Sequence, residues 1–263
     1  GPQGTLYGQG STSGVVRFIT NDPSFDKFEG ELGLSVYNTE KGGWSEELTG
    51  VFNLPVIDDI LAFRVAASYE DKSGWIDQPA IGAEDINDNE LKNVRLKGLW
   101  QATEDMTVKA TAIHHRNSGG GQNIPNLGSV SDSNFQSAID STLFPGFIDD
   151  YDIYNITVNY DLGFASLISA SSYLEIHKSQ INLPQSAIFS FAPSAPIEML
   201  ITKRLDDAEV FSQEIRLSDN NDVLDWTLGV FYQDSEQRRQ GDFHFGVITP
   251  NAPLSNNFIY SKS

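Results

Sequence analysis

The residue types best suited to chemistry in this sequence are one pair of adjacent histidines and two runs of carboxylates. The histidines are His114 and His115, and the carboxylates are Glu84, Asp85, Asp88 and Glu90 in one run and Asp149, Asp150 and Asp152 in the other. Clustered carboxylates can bind a hard cation such as calcium, but neither run has the Asp-x-Asp-x-Asp-Gly spacing of a calcium loop. We therefore predict that both runs are surface loops without a metal.

The two histidines differ in what they can contact. Neighbouring side chains of a β-strand point to opposite faces, so His114 and His115 cannot chelate one ion together. His115 has the same parity as the polar residues Lys109 and Thr111. This parity makes His115 a candidate ligand contact, and the alternative is an ordinary polar residue of that face.

The sequence contains none of the motifs that carry covalent chemistry. Gly-x-Ser-x-Gly, His-Glu-x-x-His and the Walker loop are absent. The glycine-rich stretch Gly8–Gly14 resembles a phosphate-binding loop only loosely, because no lysine follows it. We predict no catalytic residue, no cofactor and no enzymatic activity.

The elements that must position these residues are segments in which apolar and polar residues alternate. Leu61–Glu70 sets Leu61, Phe63, Val65 and Tyr69 against Arg64, Ser68 and Glu70, the pattern of a strand with one apolar and one polar face. About nine such strands are predicted: Phe28–Asn38, Glu47–Leu54, Leu61–Glu70, Asn93–Gln101, Met106–His115, Asp152–Tyr160, Ala165–His177, Phe211–Leu217 and Trp226–Tyr232. In Ala165–His177 we expect Ile168, Leu174 and Ile176 to share a face.

The connections between these segments alternate between short and long. The short ones are Pro55–Asp59, Thr103–Asp105, Asp161–Gly163 and Asp219–Val223, and the long ones are Asp71–Glu90, Asn117–Tyr151, Ser179–Asp207 and Ser235–Ser263. A short helix is possible at Ser131–Asp140. Short turns at one rim and long loops at the other are typical of an outer-membrane β-barrel.

Composition narrows the class of protein further. The 17 basic and 36 acidic residues give a net charge of −19, which argues against a nucleic-acid partner because phosphate binding needs a basic surface. The absence of cysteine fits an envelope protein without disulfides. The sequence contains no run of eighteen or more apolar residues, so no transmembrane helix is predicted.

The first 23 residues differ from the rest. They contain Gly1-Pro2, Leu6-Tyr7-Gly8, a small polar run ending at Gly14, a short apolar segment Val15–Thr20, and Pro23. The order and spacing of these residues resemble the end of the plug domain in TonB-dependent outer-membrane receptors, in which Gly1, Pro2, Leu6, Tyr7, Gly8 and Gly14 are the matching motif positions. Phe211–Leu217 followed by Trp226–Tyr232 resembles a barrel hairpin of the same family.

The resemblance implies the fold class. We expect an all-β protein, a partial antiparallel transmembrane β-barrel of about nine up-and-down strands that is open because it is cut from one of about 22 strands. Residues 1–23 would be the C-terminal end of the plug domain and residues 24–263 the N-terminal portion of the barrel. Gly1–Thr20 is predicted to lie on the polar side of the sheet, with the first wall strand starting near Phe28.

The resemblance also implies function and partners. The family imports a scarce nutrient, most often a ferric siderophore, with energy from the TonB complex, which would act through the plug region. Outer-membrane lipid and lipopolysaccharide would surround the barrel. Two alternatives stay open: a secreted soluble all-β module that binds or hydrolyses carbohydrate, and a passive porin.

Charged residues on the polar faces are expected to pair with each other or with the plug. They are Glu29, Glu31, Arg64, Arg95, Lys97, Lys109, Glu214 and Arg216. A water-filled interior requires no further role of them. The apolar faces, such as those of Leu61, Phe63 and Val65 or of Trp226, Leu228 and Val230, should not be buried by protein.

Overall fold

The computed structural model describes residues 19–77, 83–121, 146–182, 199–220, 224–246 and 257–262. These residues form one antiparallel sheet of ten strands, in which every strand pairs with its neighbours in sequence. The strands are β1 (Glu29–Asn38), β2 (Trp44–Ile57), β3 (Leu61–Lys72), β4 (Asn89–Gln101), β5 (Met106–Gly119), β6 (Gly146–Asp161), β7 (Ser166–Asn182), β8 (Met199–Asn220), β9 (Asp225–Gly246) and β10 (Asn257–Lys262). The predicted meander is confirmed, and the described residues contain no second sheet stacked on the first.

Register gives the sheet two chemically distinct faces. One row of paired residues crosses β1 to β9 with only polar side chains: Glu29, Asn53, Arg64, Lys97, Thr111, Asn155, Ser172, Ser212 and Gln233. The next row lies one residue away on each strand and is apolar or aromatic from β1 to β8, before it reaches Asp234 on β9: Gly30, Phe52, Val65, Leu96, Ala112, Tyr154, Tyr173 and Phe211. Because side chains alternate along a strand, these rows define a polar face and an apolar face.

The apolar face is not covered by any residue that the structure describes. Leu34 is 73% exposed, and Ile156, Leu228 and Val230 are also exposed. Leu61, Phe63, Val65 and Trp226 are partly exposed, so none of the six side chains predicted to avoid burial is buried. A continuous apolar surface of this extent on a soluble monomer would be abnormal, which indicates that something other than the described residues covers it.

The strands are longer than their apolar segments predicted. β8 and β9 each have 22 residues, and β10 was not predicted. Strand therefore occupies parts of three predicted loops, Asn117–Tyr151, Ser179–Asp207 and Ser235–Ser263. The prediction that Asp149, Asp150 and Asp152 form a loop is wrong, because these residues lie in β6. Near this rim polar residues occur on both faces and adjacent apolar residues such as Phe147 and Ile148 interrupt the pattern, so the alternation disappears while the backbone ladder continues. The possible helix Ser131–Asp140 lies outside the described residues.

The turns at the opposite rim are short, as predicted. Between β4 and β5 the amide of Ala102 donates to the carbonyl of Met106 at 2.8 Å. Between β6 and β7 the amide of Gly163 donates to Oδ1 of Asp161 at 2.8 Å, and Gly163 has a φ of 80°, a conformation that favours glycine.

The β3–β4 connection is an ordered rim loop in its described parts. Oδ1 of the buried Asn87 accepts hydrogen bonds from the amides of Trp75 (2.8 Å) and Ile76 (2.9 Å). Oδ1 of Asp88 accepts from the amide of Gly120 at 3.2 Å, and Glu90 belongs to β4. Of the first acidic run, Asp88 therefore holds the backbone of Gly120 in place, and Glu90 lies in a strand and not in a loop.

Candidate functional site

The segment that enters the sheet is fastened to the polar face by one carboxylate. Asp22 lies between Lys97 and Lys109, with Oδ1 2.9 Å from Nζ of Lys97 and Oδ2 2.6 Å from Nζ of Lys109. Lys97 also donates to the carbonyl of Thr20 at 2.9 Å. Hydrogen bonds from Lys109 and then Lys97 hold the pKa of Asp22 below its usual value.

A buried asparagine fixes the next residues. Asn53 is 1% exposed; its Oδ1 accepts from the amide of Ser24 at 2.8 Å, and its Nδ2 donates to the carbonyls of Ser24 (2.9 Å) and Lys27 (2.8 Å). All three hydrogen bonds of the Asn53 side chain are to backbone atoms of Ser24 and Lys27. Asn53 therefore sets the path of the chain into β1. Pro23, between the two attachments, is buried.

Residues Thr20–Pro23 of the opening stretch therefore lie against the polar face. Strand β1 begins at Glu29, close to the predicted Phe28. Among the described residues β1 pairs with β2 alone. The predicted plug-motif positions Gly1, Pro2, Leu6, Tyr7, Gly8 and Gly14 lie outside the described residues.

His115 belongs to the polar face, as its parity predicts. Its ring stacks on Tyr151 with centroids 4.6 Å apart and an interplanar angle of 19°, and its Nδ1 lies 3.1 Å from Nδ2 of Asn93. A row of half-buried apolar residues adjoins this stack: Ile113, Ile153, Leu174 and Val210, paired in register across β5 to β8. Ile168, Leu174 and Ile176 share this face, as expected, and make part of the polar face apolar.

His114 points to the opposite face and meets carboxylates that the sequence had not linked to it. Its Nδ1 lies 3.0 Å from Oδ1 of Asp152 and 4.0 Å from Oδ1 of Asp150. Ligand atoms of these three residues lie within 4.8 Å of one another, but Asp150 also pairs with Arg116 at 2.9 Å. A partly exposed cluster in which one carboxylate already pairs with an arginine is an ordinary surface network. Only the β5–β6 register could have linked these residues beforehand.

Near the rim of the long loops, the polar face carries paired charges. Lys178 lies 3.0 Å from Asp149, and Arg204 and Arg239 lie 2.5 and 2.6 Å from Asp206. Lys178, Asp149, Arg204 and Asp206 contribute to the lining of a cavity of about 310 Å³. Lower on this face Arg216 and Glu214 are 3.5 Å apart, and Glu29 pairs with Lys27 at 2.9 Å.

One antiparallel meander with an apolar and a polar face is the fold of a partial β-barrel. Among the described residues, no helix is long and apolar enough to cross a membrane. No protein-family model matches the sequence.

The structure is similar to that of the ferric yersiniabactin uptake receptor FyuA from Yersinia pestis, with a TM-score of 0.70 and 17% sequence identity. The match covers 93% of this chain and 36% of FyuA, so the chain spans about a third of the receptor that it matches. At this identity the similarity shows the fold alone. The matched protein is, by its name, an uptake receptor.

Proposed function

We propose that this chain is part of the wall of an outer-membrane transporter that binds a scarce nutrient and imports it with energy from the TonB complex. The observation that carries the proposal is the two-faced sheet, whose apolar face is uncovered and whose polar face holds an incoming segment. Lipid and lipopolysaccharide cover the apolar face. The segment ending at Asp22 is the last part of the plug, which resides on the polar face.

The proposed nutrient is a ferric siderophore. The resemblance of the opening stretch to a plug end supports this assignment, as does a fold shared with a receptor for ferric yersiniabactin. The His115–Tyr151 stack and the apolar row beside it offer a surface suited to an aromatic or apolar part of such a ligand.

The test is an uptake measurement with the intact receptor. The full-length protein is expressed in cells that lack their own ferric siderophore receptors, and radiolabelled iron is supplied on a panel of siderophores. We expect saturable uptake of at least one complex, and its loss when TonB is deleted. Uptake that persists without TonB would instead support the passive porin. An isolated protein that remains monomeric without detergent would instead favour the soluble module.

A further inference from the structure

The polar face carries an apolar patch toward the rim of the long loops. Its first row is the apolar row described above, from Ile113 to Val210. The second row lies one step closer to that rim and is paired in register across β5 to β8: His115, Tyr151, Ile176 and Ala208. All residues of these two rows, the inner apolar patch, are partly exposed. A water-filled barrel interior requires no apolar side chains, and an exposed apolar patch bordered by polar groups marks a binding surface.

The row directly beyond this patch is charged. Asp149, Lys178, Asp206 and Arg239 are paired in register across β6 to β9, and Arg204 precedes Asp206 by two residues on the same face of β8. We refer to these five residues as the inner charged row. Its three cations outnumber its two carboxylates, so the row carries one positive charge in excess.

The other face of the same strands has the opposite charge. Four carboxylates lie directly opposite one another there: Asp152, Glu175, Glu209 and Glu236. The whole chain has a net charge of −19, so an excess of cations on the inner side is a local departure from its composition. A cationic surface next to an apolar patch is complementary to a ligand that is both anionic and apolar.

Asp206 orients two of the three cations. Its Oδ2 accepts a hydrogen bond from Nε of Arg204 at 2.5 Å, and its Oδ1 accepts one from Nε of Arg239 at 2.6 Å. Among the residues that the structure describes, Asp206 is the one acidic partner of either arginine. Two guanidinium groups have about ten N–H donors, whereas one carboxylate accepts about four hydrogen bonds. Donors therefore remain on two arginines that are held in place, and they suit the paired oxygens of a carboxylate.

A cavity of about 310 Å³ adjoins this pair. Its lining includes Phe147, Lys178, Gln180, Arg204 and Asp206, so an aromatic ring, a carboxamide and two cations meet there. The volume is at the lower end for a small-molecule site. A ligand whose anionic end enters this cavity would lay its remainder on the inner apolar patch, one row or about 7 Å away.

We infer that the ligand of this face is an anionic amphiphile. Its anionic group is bound by Arg204 and Arg239, and its aromatic or apolar part lies on the inner apolar patch. The inference rests on the proposed function, because it needs a ligand that reaches the polar face, and it adds the class of that ligand and the residues that select it. A neutral ligand of the same size would leave the excess cation without a partner.

The site is distant from the segment attached at Asp22. Asn117, which is directly opposite Asp149 of the inner charged row, follows Lys109 on β5 by eight residues, or about 26 Å of strand. Asp22 contacts Lys109, so its attachment does not reach the inner charged row. In the proposed receptor the long loops are outside the cell, and an arriving ligand meets the charged row before it reaches the patch.

The experiment is photoaffinity labelling of the full-length receptor in lipid nanodiscs. The probe is 4-benzoylbenzoate, an aromatic carboxylate, and its neutral amide is the matched control. We expect the acid to label residues of the inner apolar patch about three- to tenfold more than the amide does, as for a charge-assisted hydrogen bond that solvent reaches. Mass spectrometry of the peptides locates the label. Equal labelling by acid and amide, labelling at other positions only, or no labelling would overturn the inference.

Two arginines that are adjacent in sequence separate this site from a general effect of charge. Arg239→Gln should reduce labelling by the acid by about the same factor. Arg238→Gln is the control, because Arg238 lies on the other face, where it pairs with Glu236 at 2.7 Å, and it should leave labelling unchanged. Labelling by the amide should be equal in all variants, which verifies that the patch is intact. Equal loss of acid labelling in both variants would overturn the inference.

Uptake of ferric siderophores, measured on the same receptor, lets the two proposals fail separately. If ferric complexes are imported with TonB but the acid does not label the patch, this inference alone is refuted. If the acid labels the patch in an Arg239-dependent manner but no ferric complex is imported, the proposed function alone is refuted. Among imported complexes, an anionic tris-catecholate should be preferred over a neutral tris-hydroxamate, and the reverse preference would overturn the inference.

Discussion

Nζ of Lys109 lies 2.6 Å from Oδ2 of Asp22, across 87 residues of sequence. This contact, with its counterpart at Lys97, joins the segment before β1 to the middle of the wall. The first prediction concerns its removal. Asp22→Asn should speed amide exchange of residues 20–27 by about two- to five-fold, the range expected for an ion pair that solvent reaches.

Asp26 provides the control for that variant, because its Oδ2 accepts from Ser24 within the same segment and does not contact the wall. Asp26→Asn should leave exchange at residues 20–22 unchanged. Equal acceleration in both variants would mean that the Asp22 bridge does not fix the segment.

The second prediction concerns pH. The folded pKa of Asp22 is lowered by its bonds to Lys109 and Lys97, so it lies below the value of about 3.9 expected in an unfolded chain. A lowered carboxylate pKa contributes stability that is complete above the unfolded value and is lost as the pH falls through the folded value. Intrinsic-rate-corrected exchange of residues 20–27 should therefore be constant from pH 8 to 5 and rise below pH 4. Asp22→Asn should abolish that step, and release between pH 6 and 8 would contradict the prediction.

The third prediction tests which face meets lipid. Ile156 is 53% exposed on the apolar face, in the middle of the apolar part of β6. Ile156→Arg should destabilise the receptor folded in lipid vesicles by about 2–4 kcal/mol, the effect of a charge near the bilayer centre. Asn159→Arg places the same charge on the polar face and should have a much smaller effect. Denaturant titration measures both, and equal losses would argue against a lipid-covered face.

The fourth prediction concerns the rim loop between β3 and β4. A Cβ at Gly74 would overlap the backbone carbonyl of Asp85, which cannot move without disturbing Asn87. Gly74→Ala should cost about 1–3 kcal/mol, as for other overpacked sites, and should speed exchange of the amides of Trp75 and Ile76. A Cβ at Gly241 meets nothing within 4 Å, so Gly241→Ala should be tolerated.

The fifth prediction compares the adjacent histidines. If the polar face binds the nutrient through the His115–Tyr151 stack, His115→Ala should weaken binding by about two- to ten-fold, the range of one aromatic contact. His114→Ala alters the opposite face and should leave affinity unchanged. Intrinsic fluorescence titration of the full-length receptor gives both values, and an unchanged affinity in His115→Ala would remove this residue from the ligand surface.

The sequence by itself determined nine of the ten strands and the side on which most residues lie. Alternation in segments such as Leu61–Glu70 was sufficient, because a strand has a period of two and only one face of this sheet is apolar. The same parity separated His114 from His115. Alternation vanished near the long-loop rim, where polar residues occur on both faces, and for that reason the outer parts of β6, β8 and β9 were taken for loops.

Only the tertiary structure decided which residues meet across strands. Register brings His114 to Asp152 and His115 to Tyr151, and the path of the segment before β1 brings Asp22 to Lys109. Each pair is separated by dozens of residues and by loops whose lengths do not encode it. Register likewise places Arg64 opposite Lys97 with no acidic neighbour. A sequence pattern gives each side chain a face, but the pairing of strands is needed to give it a partner.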